Sequence, residues 1–136
     1  LREAQRYGLK ASDDIGLLRF DRSLYFANVP YFEDAVLELA ARHPNAKYLI
    51  VVTKGINEID ASGEEVIHSL VNRLKARGVT LVFAGLKAQV LDVMERTGLD
   101  SVIGKENIFR STDASITAVQ ERVAALKEKE QQSENH

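Results

Sequence analysis

Residues 48–84, YLIVVTKGINEIDASGEEVIHSLVNRLKARGVTLVFA, decide the fold of this 136-residue chain. The stretch opens with five consecutive apolar residues rich in β-branched side chains, which is typical of a strand covered on both faces. Ser62 and Glu65 then form a capping-box pattern at the start of a helix. The apolar residues of this helix share one face: Val66, Ile67, Leu70, Val71 and Leu74. Gly78 is suited to end the helix before a strand at 79–84, and this order predicts a parallel strand pair with a crossover helix.

Two shorter β-like segments precede this stretch. Residues 15–20 and 23–27 are separated by a plausible two-residue turn, so they predict an antiparallel hairpin. Pro30 suits the first turn of a following helix. That helix should end near His43, because Pro44 disfavours helical geometry in the residue before it.

The remainder of the chain continues the alternation of helices and strands. A helix is predicted over 87–97 with Gly98 as its stop, followed by a short strand near 107–109 and a last helix capped by Asp113. The resulting order is β-β-α-β-α-β-α-β-α. We therefore expect one α/β domain with a mixed, mostly parallel sheet and an antiparallel N-terminal hairpin.

Composition limits the function. Lys and Arg number 18 against 20 Asp and Glu, for a formal charge of −2. This balance disfavours general nucleic-acid binding. The chain has no Cys, which excludes disulfides, thiolate nucleophiles and cysteine-ligated metals. The longest apolar runs are too short to span a bilayer.

Catalytic and metal motifs are also missing from the sequence. His43, His68 and His136 do not have the spacing of a metal site, so no metal is predicted. Ser62 has no G-x-S-x-G elbow and no obvious histidine base, which argues against a hydrolase. No glycine-rich nucleotide motif occurs, so no cofactor is predicted. Gly85, before Leu86 and Lys87, is compatible with an anion-binding helix start or with an ordinary turn.

Ser62 allows two interpretations. A phosphate on its hydroxyl would lie near free backbone N–H groups and the positive end of the helix dipole, so the residue could be a switch. Serine is equally a favoured residue for simply capping a helix.

Two short motifs carry a family resemblance. The first, Ile59-Asp60-Ala61-Ser62-Gly63, resembles the signature of STAS domains, which occur in sulfate permease (SulP) transporters and in anti-sigma-factor antagonists. The resemblance extends over about residues 15–126 and implies the STAS fold. In the antagonists, the serine matching Ser62 is phosphorylated by the partner kinase, and Asp60 matches the acidic residue two positions before it.

The second motif separates the two branches of the family. The segment Leu24-Tyr25-Phe26-Ala27-Asn28 resembles the second-strand motif of SulP-type STAS domains, in which the position of Asn28 ends the strand. Stand-alone antagonists usually lack this stretch. The alternative interpretation is that Tyr25 and Phe26 are ordinary aromatic residues of a strand. It leaves Ala27 and Asn28 unexplained.

One position departs from the pattern. The strand before the signature often ends in an acidic residue eight positions before the signature Asp, and here Val52 stands at that position. The departure weakens the antagonist interpretation more than the transporter interpretation.

The resemblance implies a non-catalytic regulatory or protein-interaction domain of a SulP-type sulfate or anion transporter, at the cytoplasmic face of the inner (plasma) membrane. The membrane domain of the same transporter would be its partner. Acyl carrier protein, a kinase-like regulator or weak nucleotide binding are also compatible with the resemblance. The alternative is a stand-alone anti-sigma-factor antagonist switched by phosphorylation at Ser62.

These functions suggest boundaries within the chain. Because the chain does not begin with Met, we expect residues 1–14 to be a connector that follows a membrane-embedded part. Residues 15–126 would form the STAS domain. Residues 127–136 contain no apolar side chain and are expected to be a disordered polar tail.

Overall fold

The strands of the sheet are parallel, and strands that are consecutive in the sequence are neighbours in the sheet. The computed structural model describes residues 14–134. The strands are β1 (Ile15–Arg19), β2 (Tyr48–Val52), β3 (Thr80–Ala84) and β4 (Ile108–Phe109), in the spatial order β1-β2-β3-β4. Arg19 is aligned with Val52, Val52 with Ala84, and Ala84 with Phe109. These four residues form the last rung of the sheet, and the loops that follow them lie at what we call the carboxyl edge.

Helices cover both faces of the sheet. They are α1 (Val29–Arg42), α2 (Ala61–Lys75), α3 (Ala88–Thr97), α4 (Leu99–Ile103) and α5 (Thr112–Glu134). Alternate residues of β2 point to opposite faces: Leu49 and Val51 pack in the cluster formed with α1 to α4, while Ile50 packs against α5. This double coverage explains the uninterrupted apolar run of β2 and confirms the predicted α/β class.

The predicted hairpin is wrong. Residues 23–27 do not fold back on β1; Leu24 instead forms an isolated parallel bridge with Ile59, and Phe26–Asn28 is a 3-10 turn. The two residues between the segments are Asp21 and Arg22, which lack the glycine that tight hairpin turns favour. Within residues 14–134 all strand pairs are therefore parallel, and the sheet there is not mixed.

Helix α5 differs from expectation at both ends. The Ser111 hydroxyl, rather than the predicted Asp113, accepts the hydrogen bond from the Ala114 N–H at 3.1 Å. The helix continues to Glu134 through most of the predicted disordered tail, residues 127–136. Lys, Glu and Gln are good helix formers, so this polar segment, exposed over residues 127–133, extends the helix by its own helical propensity. The predicted connector, apart from Asp14, lies outside the described residues.

Arg122 attaches α5 to the end of the sheet. Its Nη1 donates to Asn107 Oδ1 at 2.8 Å, and its Nη2 donates to the Glu106 carbonyl at 2.6 Å. The guanidinium also lies 5.7 Å from the centre of the Phe109 ring. Although α5 has 23 residues, neither it nor any other helix within 14–134 has the length and apolarity needed to cross a membrane.

Candidate functional site

The Asp60 carboxylate joins the two motifs singled out in the sequence. Its Oδ1 accepts a hydrogen bond from the Gly63 N–H at 2.9 Å, and its Oδ2 accepts one from the Phe26 N–H at 3.0 Å. Phe26 and Asp60 are 34 positions apart in the chain. One side chain therefore holds the aromatic motif against the signature loop.

Backbone hydrogen bonds surround this contact. The Leu24 N–H donates to the Glu58 carbonyl at 2.9 Å, and the Asp60 N–H donates to the Leu24 carbonyl at 3.1 Å. The Leu24 side chain is fully buried. Asn28 Nδ2 donates to the Ser23 carbonyl at 2.8 Å, which closes the turn just before α1. Asn28 thus ends a 3-10 turn rather than the strand expected from the resemblance.

Gly63 allows the two segments to approach closely. A Cβ at this position would lie 2.3 Å from the Leu24 carbonyl oxygen, well inside van der Waals contact. Because that oxygen belongs to the backbone and is already hydrogen-bonded, it has little room to move. The small residue is required by spacing rather than by a left-handed conformation.

The predicted capping box assigns the N-cap of α2 to the wrong residue. Asp60, not Ser62, is the N-cap of α2, and its side chain accepts the hydrogen bond from Gly63. Asp is as good an N-cap as Ser, so the residue pattern permitted both starts. Ser62 is the second residue of the helix and is half-buried, while Glu65 is exposed. The Ser62 side chain is therefore not engaged in capping α2.

Ser62 lies in an open groove between the first turns of α1 and α2. The groove is lined by Phe26, Ala27, Val29, Pro30, Ser62 and Val66, with the carboxylates of Glu33 and Glu65 at its sides. Large aromatic side chains are exposed close by: Tyr25 at 40%, Phe26 at 76% and Tyr31 at 57%. Large aromatic side chains exposed close together are typical of a contact surface.

The electrostatics of the loop favour a charged Asp60. The hydrogen bond from the Gly63 N–H lowers the pKa of Asp60 below its ordinary value of 3.8; partial burial opposes this, and the Phe26 N–H adds to the lowering. The positive end of the α2 dipole acts in the same direction.

Comparison with known proteins identifies the family. A model of the STAS domain matches residues 7–115. The chain belongs to the STAS domain family.

Relatives of this STAS domain are sulfate transporters. "Putative sulfate transporter YvdB" of Bacillus subtilis (strain 168) is 28% identical over 99 residues, which cover 73% of this chain and 18% of that protein. "Probable sulfate transporter 4.2" of Arabidopsis thaliana is 29% identical over 105 residues, covering 70% and 16%. The STAS domain thus spans less than a fifth of the length of these relatives.

Solved structures share the fold. The SulP transporter STAS domain from Vibrio cholerae matches with a TM-score of 0.72 at 17% identity, over 91% of this chain and 95% of that one. A putative anti-sigma factor antagonist from Thermotoga maritima matches with a TM-score of 0.68 at 18% identity, over 79% and 89%. The murine Slc26a9 anion transporter matches at 0.72 and 20% identity, over 79% of this chain and 18% of the transporter.

Other predicted positions of the STAS domain have structural roles. The Gly85 N–H donates to the Phe109 carbonyl at 2.9 Å, so it extends the β3–β4 ladder and favours the turn over the anion site. Val52 is buried in β2, and the next residue, Thr53, donates its hydroxyl hydrogen to the Ala84 carbonyl. Between residues 14 and 134 no three side chains group as metal ligands. Acyl carrier protein, kinase and nucleotide binding stay predictions.

The sequence pattern did not reveal the role of Leu24. Its hydrogen bonds to the loop before Asp60 bring the motifs together, and they depend on a tertiary pairing rather than on local periodicity. A signal was available for the true start of α2, since Asp60 is an acidic N-cap candidate three residues before Gly63.

We predict that Gly63→Ala destabilises the STAS domain much more than Gly78→Ala. Alanine at 63 suits a helix but clashes with the Leu24 carbonyl oxygen, and we expect a loss of about 3 kcal/mol in the free energy of unfolding. Gly78 has open space around it and a φ of +77°, so alanine there costs about 1 kcal/mol of backbone strain. Urea unfolding of both variants measures the difference, and equal losses would contradict the close approach.

We predict that Asp60→Asn and Asp60→Ala affect the Phe26 and Gly63 amides differently. Asp60→Asn keeps one acceptor for the Gly63 N–H but loses the acceptor for Phe26, whereas Asp60→Ala loses both. Hydrogen exchange should therefore accelerate at the Phe26 amide in both variants and at the Gly63 amide mainly in Asp60→Ala. Exchange that is equally fast at both amides in Asp60→Asn would show that the carboxylate does not bridge the motifs.

The contribution of the Asp60 carboxylate to the stability of the domain should depend on pH in a defined direction. Because folding lowers the pKa of Asp60, its carboxylate stabilises the domain above the ordinary pKa of 3.8 and loses this effect as the pH falls through the lower folded value. The difference in unfolding free energy between wild type and Asp60→Asn should therefore shrink below about pH 3.8. A constant difference down to complete protonation would contradict the charge effect.

Proposed function

We propose that this chain is a non-catalytic regulatory and protein-interaction domain of a SulP-type anion transporter, on the cytoplasmic face of the plasma (inner) membrane. The observation that carries the proposal is the pairing made by Asp60. It places the SulP-type aromatic motif next to the signature loop and leaves Tyr25 and Phe26 facing outwards. The partner expected at this surface is the membrane domain of the same protein.

Two further observations support the assignment. The curated relatives are sulfate transporters of which this chain corresponds to a small part. The exposed Phe26 ring adds little to the core, so burial within the domain does not account for an aromatic residue at this position.

The surroundings of Ser62 support the non-catalytic part of the proposal. The groove beside Ser62 is lined by apolar side chains and two carboxylates, with no histidine among its lining residues. His68 lies two turns along α2 and lines a different depression with Glu64 and Thr97. The described residues near Ser62 therefore lack the usual partner for a serine nucleophile.

Transport assays test the proposal. In the full-length transporter that contains this chain, removal of residues 15–126 should lower sulfate uptake or abolish its regulation. Because a deletion can also affect folding of the membrane part, Phe26→Ser is the sharper variant, with an expected fall of about fivefold. The matched control is Leu126→Ser, another exposed apolar residue, on α5. Unchanged uptake, expression and regulation in the deletion would refute the proposal.

A phosphorylation switch at Ser62 is the second candidate function. Ser62 is half-buried on the groove wall, one residue after the start of α2. A phosphate there would gain from the helix dipole, but it would also face the carboxylates of Asp60, Glu33 and Glu65. The net result would be a change in the groove and its aromatic rim, which is how the modification would alter partner binding.

Incubation with candidate kinases followed by mass spectrometry tests this second function. We expect phosphate on Ser62, and Ser62→Asp should weaken or strengthen partner binding by about fivefold or more. Ser69→Asp, at an exposed position on the same helix, is the control that adds the same charge away from the groove. Absence of phosphate at Ser62 together with equal binding by both variants would exclude the switch.

A further inference from the structure

A small pocket is lined by residues of α3, α4 and β4, at the edge of the sheet farthest from β1. Its volume is about 360 Å³, which lies in the lower part of the range of about 300–1,000 Å³ that is usual for sites of small molecules. Half of its lining residues are apolar and half are charged. The groove beside Ser62 has none of these lining residues, so the contact proposed there does not involve this pocket.

The apolar lining residues come from the strand edge and from the start of α3. They are Leu86, Leu91, Ile108 and Phe109. Each of them is half-buried, so each keeps some apolar surface that the domain itself does not cover. A ligand that covered this surface would gain binding free energy from the hydrophobic effect. The pocket therefore favours a molecule with an apolar part.

Asp100 contributes a nearly buried carboxylate to the same pocket. Its side chain is 8% exposed, and its Oδ1 accepts a hydrogen bond from the Ser101 N–H at 2.9 Å. Within residues 14–134, the charged neighbour of its Oδ2 is Lys105 Nζ at 4.0 Å, which is too far for a hydrogen bond. The Lys105 side chain is 77% exposed, so water screens much of this attraction. The Oδ2 atom can therefore accept a hydrogen bond from a ligand, and a charged donor such as an ammonium group suits it best.

The other charged lining residues are exposed at the side of the pocket. Glu95 is a second carboxylate, and Lys105 and Arg110 are two cations, so the lining carries equal numbers of negative and positive side chains. Arg110 directly follows β4 and has no ion pair with another residue of 14–134. Its guanidinium can donate two parallel hydrogen bonds to a carboxylate. The pocket thus offers groups that match both charges of a zwitterion.

We propose that this pocket binds a free α-amino acid with an apolar side chain. The ammonium group of the amino acid would donate to Asp100 Oδ2, its carboxylate would accept from Arg110, and its side chain would cover the apolar lining. Other classes of ligand leave part of the lining unmatched. A simple anion would face Asp100 and Glu95, and a simple cation would face Lys105 and Arg110. A purely apolar molecule would cover the Asp100 carboxylate without giving it a charged partner.

This inference goes beyond the proposed function and does not depend on it. Amino-acid binding is a property of the 136-residue chain, whereas sulfate uptake is measured on the full-length transporter. The two experiments can therefore fail independently. Failure of amino-acid binding would overturn this inference and leave the proposed function unchanged, and an unchanged uptake in the deletion variant would do the opposite.

Amide chemical shifts of the 136-residue chain test the class of ligand. L-leucine, L-isoleucine, L-valine, L-methionine and L-phenylalanine are titrated separately, and at least one should give saturable shifts at the Ser101 and Phe109 amides. The carboxamide and the N-acetyl form of the tightest-binding amino acid each lack one charge, and glycine lacks the side chain. All three should bind at least about tenfold more weakly, because each leaves part of the lining unmatched.

Three results of these titrations would overturn the inference. The first is the absence of saturable shifts with all five amino acids. The second is equal binding by an analogue that lacks one of the two charges, which would show that the pocket does not select a zwitterion. The third is a set of shifts confined to the groove around Phe26, which would place the ligand at the other site.

Substitutions test the residues assigned to each charge. Asp100→Asn keeps the size of the side chain but removes its charge, and it should weaken amino-acid binding by about tenfold or more. Arg110→Gln, at an exposed position, should have an effect of similar size. The matched control is Arg77→Gln, which removes an exposed cation at the opposite end of the sheet and should change binding by less than about twofold.

Circular dichroism verifies that each variant is folded. If Asp100→Asn does not fold, the comparison of Arg110→Gln with Arg77→Gln still decides, because both of these positions are exposed. Unchanged binding by Arg110→Gln, or equal weakening in the two arginine variants, would overturn the assignment of the pocket.

Discussion

The two hydrogen bonds accepted by Asp60 set the geometry on which this end of the domain depends. One bond starts α2, and the other holds the loop that leads into α1. A single carboxylate therefore ties the start of α2 to the turn that precedes α1, beside the groove between the two helices. Gly63 makes this possible, because a larger residue would meet the Leu24 carbonyl before the hydrogen bonds could form.

The parallel order of the strands determines which other loops lie at the same end of the domain as this contact. Each crossover returns the chain to the same end of the sheet, so every loop after a strand lies at the carboxyl edge. The signature loop and the aromatic motif come together there for this topological reason. A contact surface for a partner can then form at this edge.

Local patterns predicted the elements better than their pairing. Helical periodicity located α1, α2 and α3, and the apolar run identified β2 as a covered strand. The hairpin prediction was wrong because residues 23–27 have strand-like composition, but Leu24 forms its backbone hydrogen bonds with Glu58 and Asp60. The predicted start of α2 was wrong because Asp60 and Ser62 have similar capping propensities, and the Phe26 N–H that adds a second hydrogen bond to Asp60 comes from a distant segment.

The α/β class, the absence of cysteine chemistry and the two motifs that indicate the family can all be recognised in the amino-acid sequence alone. Those properties follow from composition, periodicity and short-range spacing, which act within a few residues. The contact between the motifs, the position of Ser62 in a groove and the outward orientation of Phe26 became visible in the folded chain. Contacts across 34 positions depend on how the strands pair, and pairing is a property of the folded chain as a whole.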